Sequence, residues 1–161
     1  MCNRQLQIDL ASQELSCLES GEMVASYPVS TGLNGPGESQ ESGCTPRGKH
    51  RVRIKIGADC PLDTVFVGRR PSGERYSEML AEQQPERDWV LTRIIWLSGL
   101  ESGFNRGGRV DTLRRYIYIH GTPDSEPMGV PRSHGCIRMR NRDLIELFDW
   151  VEPGMLVEIR D

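Results

Sequence analysis

The stretch "VLTRIIWLSGL", Val90 to Leu100, packs β-branched and aromatic side chains into one short run. Such side chains lose rotamer freedom in a helix and pack well on a pleated surface, so the run reads as a core strand. Downstream, "RRYIYIHG" (Arg114–Gly121) has the same character and ends directly at His120. Upstream, "RVRIKI" (Arg51–Ile56) alternates cleanly and places Val52, Ile54 and Ile56 on one face, as a half-buried strand does. Polar and apolar residues also alternate from Gln5 to Leu10 and, less regularly, from Gln13 to Leu18. "ESGE" then separates that run from "MVASYPV", which predicts a meander with tight turns.

Near the C-terminus the period changes. "NRDLIELFDWV" places Leu144, Ile145, Leu147, Phe148 and Val151 at helical spacing, with Asn141 as the expected N-cap and Asp143 in the first turn. "EPG" ends this helix, and "MLVEI" looks like a closing strand. A second, short helix or lid is expected in "SEMLAEQQPERDW", where Ser77 can cap helix formers that run to Pro85. The stretch from Ser30 to His50, rich in Gly, Pro and Ser, reads as a long loop of the functional or mobile kind. Strands outnumber helices and no βαβ rhythm recurs. The expected fold is mainly β, a β-sandwich or open barrel with one packed C-terminal helix, in a single domain over 1–161.

With 161 residues, 37% of them hydrophobic, one core can be buried without staples. Twenty basic residues against 23 acidic ones, with no long basic run, argue against a nucleic-acid partner. No run approaches the roughly 18 apolar residues that span a bilayer, so no membrane partner is expected. "MCNRQLQIDLASQEL" lacks the apolar stretch of a secretory signal, and a cytoplasmic location is expected. The cysteines (Cys2, Cys17, Cys44, Cys60 and Cys136) are odd in number and widely spaced, which fits a reducing compartment.

"SHGCIRM", Ser133 to Met139, sets Cys136 behind a histidine and a glycine. Three readings compete. A buried small hydrophobe suits Cys17, Cys44 and Cys60, but a polar, glycine-containing loop is a poor place for filler. Zinc held by His120, His134 and Cys136 is allowed by ligand type, yet the H-x-E and P-C-x-x-C pattern of the zinc deaminases is missing, and no metal or other cofactor is expected. A nucleophile needs a base to take its proton or cations to hold a thiolate, and His120, His134, Arg132 and Arg138 are candidates for both. Gly135 would let a substrate carbonyl approach the backbone, with the N–H groups of Gly135 and Cys136 as an oxyanion hole. His50 has no catalytic company and is expected on a strand edge. Trp89, Trp96 and Trp150 are expected in the core or at its rim.

"YIHGTP", followed by "SHGCIRMRNRD" with the cysteine sixteen positions after the histidine, resembles the L,D-transpeptidase catalytic domain, the YkuD-like family. The likeness runs on through "LFDWVEPGMLVEI", more loosely reaches "YPVSTG" and "TPRGKHRV", and is weakest from Gly57 to Trp89. It implies a β-sandwich-like catalytic fold and roles by position. Cys136 would attack the L-to-D peptide bond after the third residue of a murein stem, forming a thioester and releasing D-alanine. His120 would be general base and then acid, held in its tautomer by the Gly121 carbonyl. Ser133, His134 and Gly135 would shape the loop and oxyanion hole, and Arg138 would help fix the loop or bind the stem. Arg132 or Arg138 is expected to hold a substrate carboxylate, and Tyr118 is expected to bind substrate.

Water or an amine can resolve such a thioester. The expected cytoplasmic setting favours water, which makes the chain an L,D-carboxypeptidase trimming tetrapeptide stems during peptidoglycan recycling. The stems could be free, sugar-linked or nucleotide-linked. A periplasmic transpeptidase and a non-catalytic murein-binding module are the alternatives.

Overall fold

The computed structural model describes residues 3–161, so Cys2 lies outside the described residues. Strands β1 (Arg4–Asp9), β2 (Glu14–Glu19) and β3 (Glu22–Pro28) form the expected antiparallel meander. Ser20 and Gly21, both left-handed at φ 52° and 83°, join β2 to β3 in the two-residue turn that matches strand twist. Next come β4 (Gly48–Ile56), the hairpin β5 (Thr64–Val67) and β6 (Arg70–Arg75), helix α1 (Glu78–Gln83) and β7 (Leu91–Gly99). The chain ends with β8 (Tyr118–Gly121), β9 (Ile137–Met139), helix α2 (Asn141–Trp150) and β10 (Leu156–Arg160).

The closing strand β10 is inserted between β1, to which it is parallel, and β4, to which it is antiparallel. β7 pairs with β4 and β8, and β9 adds to β8 in parallel. The sheet curls without closing fully, since its two ends meet through isolated bridges and not a continuous ladder; at one of them Ser30 and Arg138 exchange both backbone hydrogen bonds at 2.9 Å. Inside the curl lie Leu6, Ile8, Leu97, Ile119, Ile137 and Val157, all fully buried, and α2 adds Leu144 and Leu147. Each such leucine contributes about 1.5–3 kcal/mol through removal from water. This is the mainly β open barrel with one packed helix that the sequence predicts. Among the described residues no helix is long and apolar enough to cross a membrane.

Several local expectations fail for identifiable reasons. A register shift between Val52 and Ile54 interrupts the alternation of β4, leaving Val52 buried and Ile54 exposed. β8 begins only at Tyr118, because Arg114 to Ile117 are taken up by a turn closed by Arg115 N–H to the Asp111 carbonyl. β5 and β9, at four and three residues, are too short to show a period, and β6 carries almost no apolar residues. Asn141 does not cap α2: the cap is Arg140, and the Asn141 side chain is buried among Thr92, Thr122 and Asp63. Cys17 is core, whereas Cys44 and Cys60 are only half-buried.

His50 sits in the middle of the sheet rather than at an edge, paired with Val157 on one side and Gly99 on the other, and is fully buried. Its Nδ1 lies 3.0 Å from the Gly48 carbonyl and must carry the hydrogen, so Nε2 accepts from the Thr112 hydroxyl at 2.9 Å. Burial outweighs the Gly48 bond and the charges of Glu101 and Glu38, and pulls its pKa from 6.5 down to about 4. The unfolded chain therefore binds a proton at a pH where the native chain does not. Stability is unaffected by this group above pH 6.5 and falls as pH drops towards about 4, by about 3 kcal/mol in all. Urea melts between pH 7 and 4 should show this loss, and a less steep fall in His50→Gln.

Candidate active site

The register of β8 and β9 builds the site. Ile119 faces Ile137 across the parallel pair and both enter the main core, so alternation turns Tyr118, His120, Cys136 and Arg138 to the other face. There the half-buried Cys136 packs with Tyr118, Phe66 and Ile94. Its Sγ donates to the Tyr116 carbonyl and accepts the Tyr118 N–H, both at 3.3 Å. Burial raises the thiol pKa to about 11; the Tyr118 N–H, Arg138 and Arg115 pull it down without overcoming burial, and Asp88 adds to the rise. The resting group is a protonated thiol and needs a base.

His120 has the right protonation to be that base. Its Nδ1 donates to the Gly121 carbonyl at 2.7 Å, which leaves the lone pair on Nε2. Burial lowers its pKa below 6.5, against the Gly121 bond and the charge of Asp88, so it is neutral at pH 7. No hydrogen bond joins His120 to Cys136 in this structure, because the thiol proton is held by Tyr116. Reaching the imidazole requires the thiol to leave that carbonyl, the kind of tightening that substrate brings about.

Gly121 is glycine for a steric reason. A Cβ there would run into Asn141 Oδ1 and come within 2.6 Å of the Leu91 carbonyl. Asn141 cannot yield, since it accepts from Thr92 Oγ1 at 2.7 Å and donates to the Thr122 carbonyl at 3.0 Å. Thr92 is itself held at φ 75°, a strained value for a β-branched residue, inside the bulge between Leu91 and Ile94. Gly121→Ala is expected to cost about 1–3 kcal/mol in thermal melts through overpacking, and to shift the carbonyl that orients His120.

The arrangement of the remaining expected residues is mixed. Ser133 Oγ donates to the Cys136 carbonyl at 2.6 Å and accepts the Gly135 N–H at 3.1 Å, which ties the loop across itself. The Gly135 N–H, expected to help form an oxyanion hole, is thus already engaged. The Cys136 N–H has no partner among the described residues. The His134 side chain is 80% exposed, with Nδ1 3.0 Å from Asp88. Arg138 is buried, its Nη2 donating to Asp88 at 3.0 Å, while its Nε has no partner. Arg132 is exposed, and only its backbone N–H is engaged, by Thr31. The Tyr118 hydroxyl accepts from Arg69 at 3.2 Å, and its ring meets Trp96 edge-on.

Sequence reasoning missed Asp88, which joins His134 and Arg138. Burial opposes its ionisation, but the His134 bond and the charge of Arg138 prevail and hold its carboxyl below the usual range. Nothing in "PERDW" marks it beyond an acid in the segment expected to be a lid. That segment does start with α1 capped by Ser77, and Trp89 anchors its far end by stacking edge-on against Tyr76 at 5.2 Å. Two clefts meet at His134. One is lined by Asp88, Trp89, Thr122, Glu126 and Arg138, the other by Gln40, Glu41, Arg114, Arg115 and Tyr116. A wider groove past Arg4, Ser20 and Met155 includes none of these residues. Among the described residues no group of three or more His, Cys, Asp or Glu side chains is arranged to hold a metal ion.

Known proteins share this framework. Probable L,D-transpeptidase YbiS of Escherichia coli K12 is 28% identical over 130 residues, which cover 72% of this chain and 40% of YbiS. Putative L,D-transpeptidase YkuD of Bacillus licheniformis is 44% identical over 46 residues, covering 29% of this chain and 28% of that protein. The chain therefore spans less than half the length of these relatives. Among solved structures, an L,D-transpeptidase from Xylanimonas cellulosilytica superposes with a TM-score of 0.58 at 22% identity, covering 98% of this chain and 60% of the other. One from Enterococcus faecium gives 0.59 at 18% identity, covering 98% and 50%. At these identities the structures show a common fold. The sequence model of the YkuD family, the L,D-transpeptidase catalytic domain, matches residues 3–159, and this chain belongs to that family.

Proposed function

We propose that this chain performs cysteine-dependent acyl transfer on murein stem peptides, and that water is its acceptor, which makes it an L,D-carboxypeptidase. The observation that carries the acyl-transfer reading is the pairing of β8 with β9. It turns a protonated thiol and a neutral imidazole, whose Nδ1 hydrogen is fixed on the Gly121 carbonyl, to the same side of the sheet.

In this reading His120 Nε2 takes the Cys136 proton as Sγ attacks the carbonyl carbon after the third stem residue. The tetrahedral oxyanion collapses, the carbon–nitrogen bond breaks, and His120 returns the proton to the departing D-alanine amine. Water then attacks the thioester carbon as His120 takes its proton, the carbon–sulfur bond breaks, and His120 returns that proton to the sulfur to restore the thiol. A soluble tetrapeptide, free or linked to sugar or nucleotide, is the matching substrate, and the cytoplasm the matching location. Arg132, exposed and with no side-chain partner among the described residues, is suited to a substrate carboxylate. Arg138 is committed to Asp88 and acts first on the loop.

A second reading, transfer to an amine, is favoured by the two clefts that meet at His134, one for each peptide. Mass spectrometry of a tetrapeptide incubated with the protein, with and without a D-amino acid, separates them. Loss of one alanine that dominates even with acceptor present supports the carboxypeptidase. Dominant exchange replaces it with the transpeptidase. An unchanged tetrapeptide ends both.

A further inference from the structure

We propose that Thr45, on the long loop between β3 and β4, is the positioning residue that aims the Cys136 N–H at the oxyanion formed during acyl transfer. The inference rests on the acyl-transfer reading above.

The fully buried Thr45 accepts the Gly32 N–H on its hydroxyl oxygen at 2.8 Å and lies 2.8 Å from the Gly135 carbonyl. Since a carbonyl only accepts, the hydroxyl proton is committed to Gly135. The Gly135–Cys136 peptide is trans, as are all peptide bonds described, so its carbonyl and its N–H point in opposite directions. A clamp on the oxygen therefore sets the direction of the Cys136 N–H. That N–H alone remains without a partner around the peptide: the Gly135 N–H is bound to Ser133 Oγ, and the Cys136 carbonyl accepts from Ser133. One end is fastened by protein and the other is left open, as a preorganised oxyanion donor requires.

The clamp is itself held. The Thr45 N–H donates to the Gly35 carbonyl at 3.0 Å, its carbonyl accepts from Gly37 at 2.9 Å, and Arg115 Nη2 grips the neighbouring Cys44 carbonyl at 2.6 Å. That Cys44 oxygen would lie 3.0 Å from a Cβ on Gly135, whose φ of +125° excludes a side chain independently. The peptide cannot turn over without losing its hydrogen bond to Thr45.

The test separates an oxyanion effect from damage to the thiol. Acylation by p-nitrophenyl acetate and by the tetrapeptide passes through a tetrahedral oxyanion. Alkylation by iodoacetamide, a displacement at a saturated carbon, does not. In Thr45→Val acylation should fall roughly 10- to 100-fold while alkylation stays within about twofold, and Thr45→Ser should restore acylation to within a few-fold. Thr45→Ala, which leaves room for a water, carries the same comparison if the valine variant fails to fold. Acylation unchanged in these variants, acylation and alkylation falling together, or a serine variant as slow as valine would each overturn the proposal. A wild-type protein acylated by neither donor would instead overturn the acyl-transfer reading on which it rests.

Discussion

Cys136→Ala is expected to lower the rate of D-alanine release from a murein tetrapeptide by on the order of 10⁴-fold or more, and to abolish any covalent peptide adduct in the mass spectrum. The expectation follows from the place of the thiol as well as its chemistry. Sγ is the candidate nucleophile immediately before β9, and its neighbours Tyr118 and Arg138 are engaged with Arg69 and Asp88. Alanine removes the nucleophile and leaves the packing against Phe66 and Ile94 short of one sulfur, so the fold should survive. With the thiol pKa pushed to about 11, alkylation of the wild type should keep rising beyond pH 9, where an ordinary cysteine has nearly levelled off. Release of alanine by Cys136→Ala at even one-tenth of the wild-type rate would rule out the thioester route.

The second large effect belongs to His120. His120→Ala should reduce kcat/KM by about 10³-fold, within the range that general acid–base catalysis supplies. The pH profile gives the more specific sign. Protonation fills the Nε2 lone pair, so activity is lost as pH falls through the pKa of His120. Burial has lowered that pKa, and the acid limb should therefore lie below 6.5. In His120→Ala the limb should disappear along with most of the rate. A wild-type limb above pH 7 would contradict the neutral, buried imidazole, and a limb retained in the variant would show that another group titrates there.

The central strands, α2 and the candidate pair His120 and Cys136 stand out in the sequence because each is a local signal. The apolar run at Val90, the helical spacing after Asn141, and a histidine and cysteine in glycine-bearing company all announce themselves within a few residues. What stayed hidden depends on distant partners. Asn141 has the chemistry of a cap, and only the fold shows that Thr92 and Thr122 claim its side chain. His50 resembles a surface histidine until β10 is inserted beside it. Asp88 is one acid among many until the chain folds it over His134 and Arg138. Thr45 sits in a stretch that composition describes only as a loop, and its partner Gly135 lies ninety positions away.

The seam between Ser30 and Arg138 has one more effect. β9 is a three-residue strand whose outer edge would otherwise offer bare amides and carbonyls to another molecule, the usual template for aggregation. The chain answers that hazard by laying its own backbone across the edge at Ser30, with Gly32 bridging to Ser133 just beyond. The strand that follows Cys136 is thereby sheltered from joining a second copy's sheet, by backbone alone and without covering the half-buried thiol.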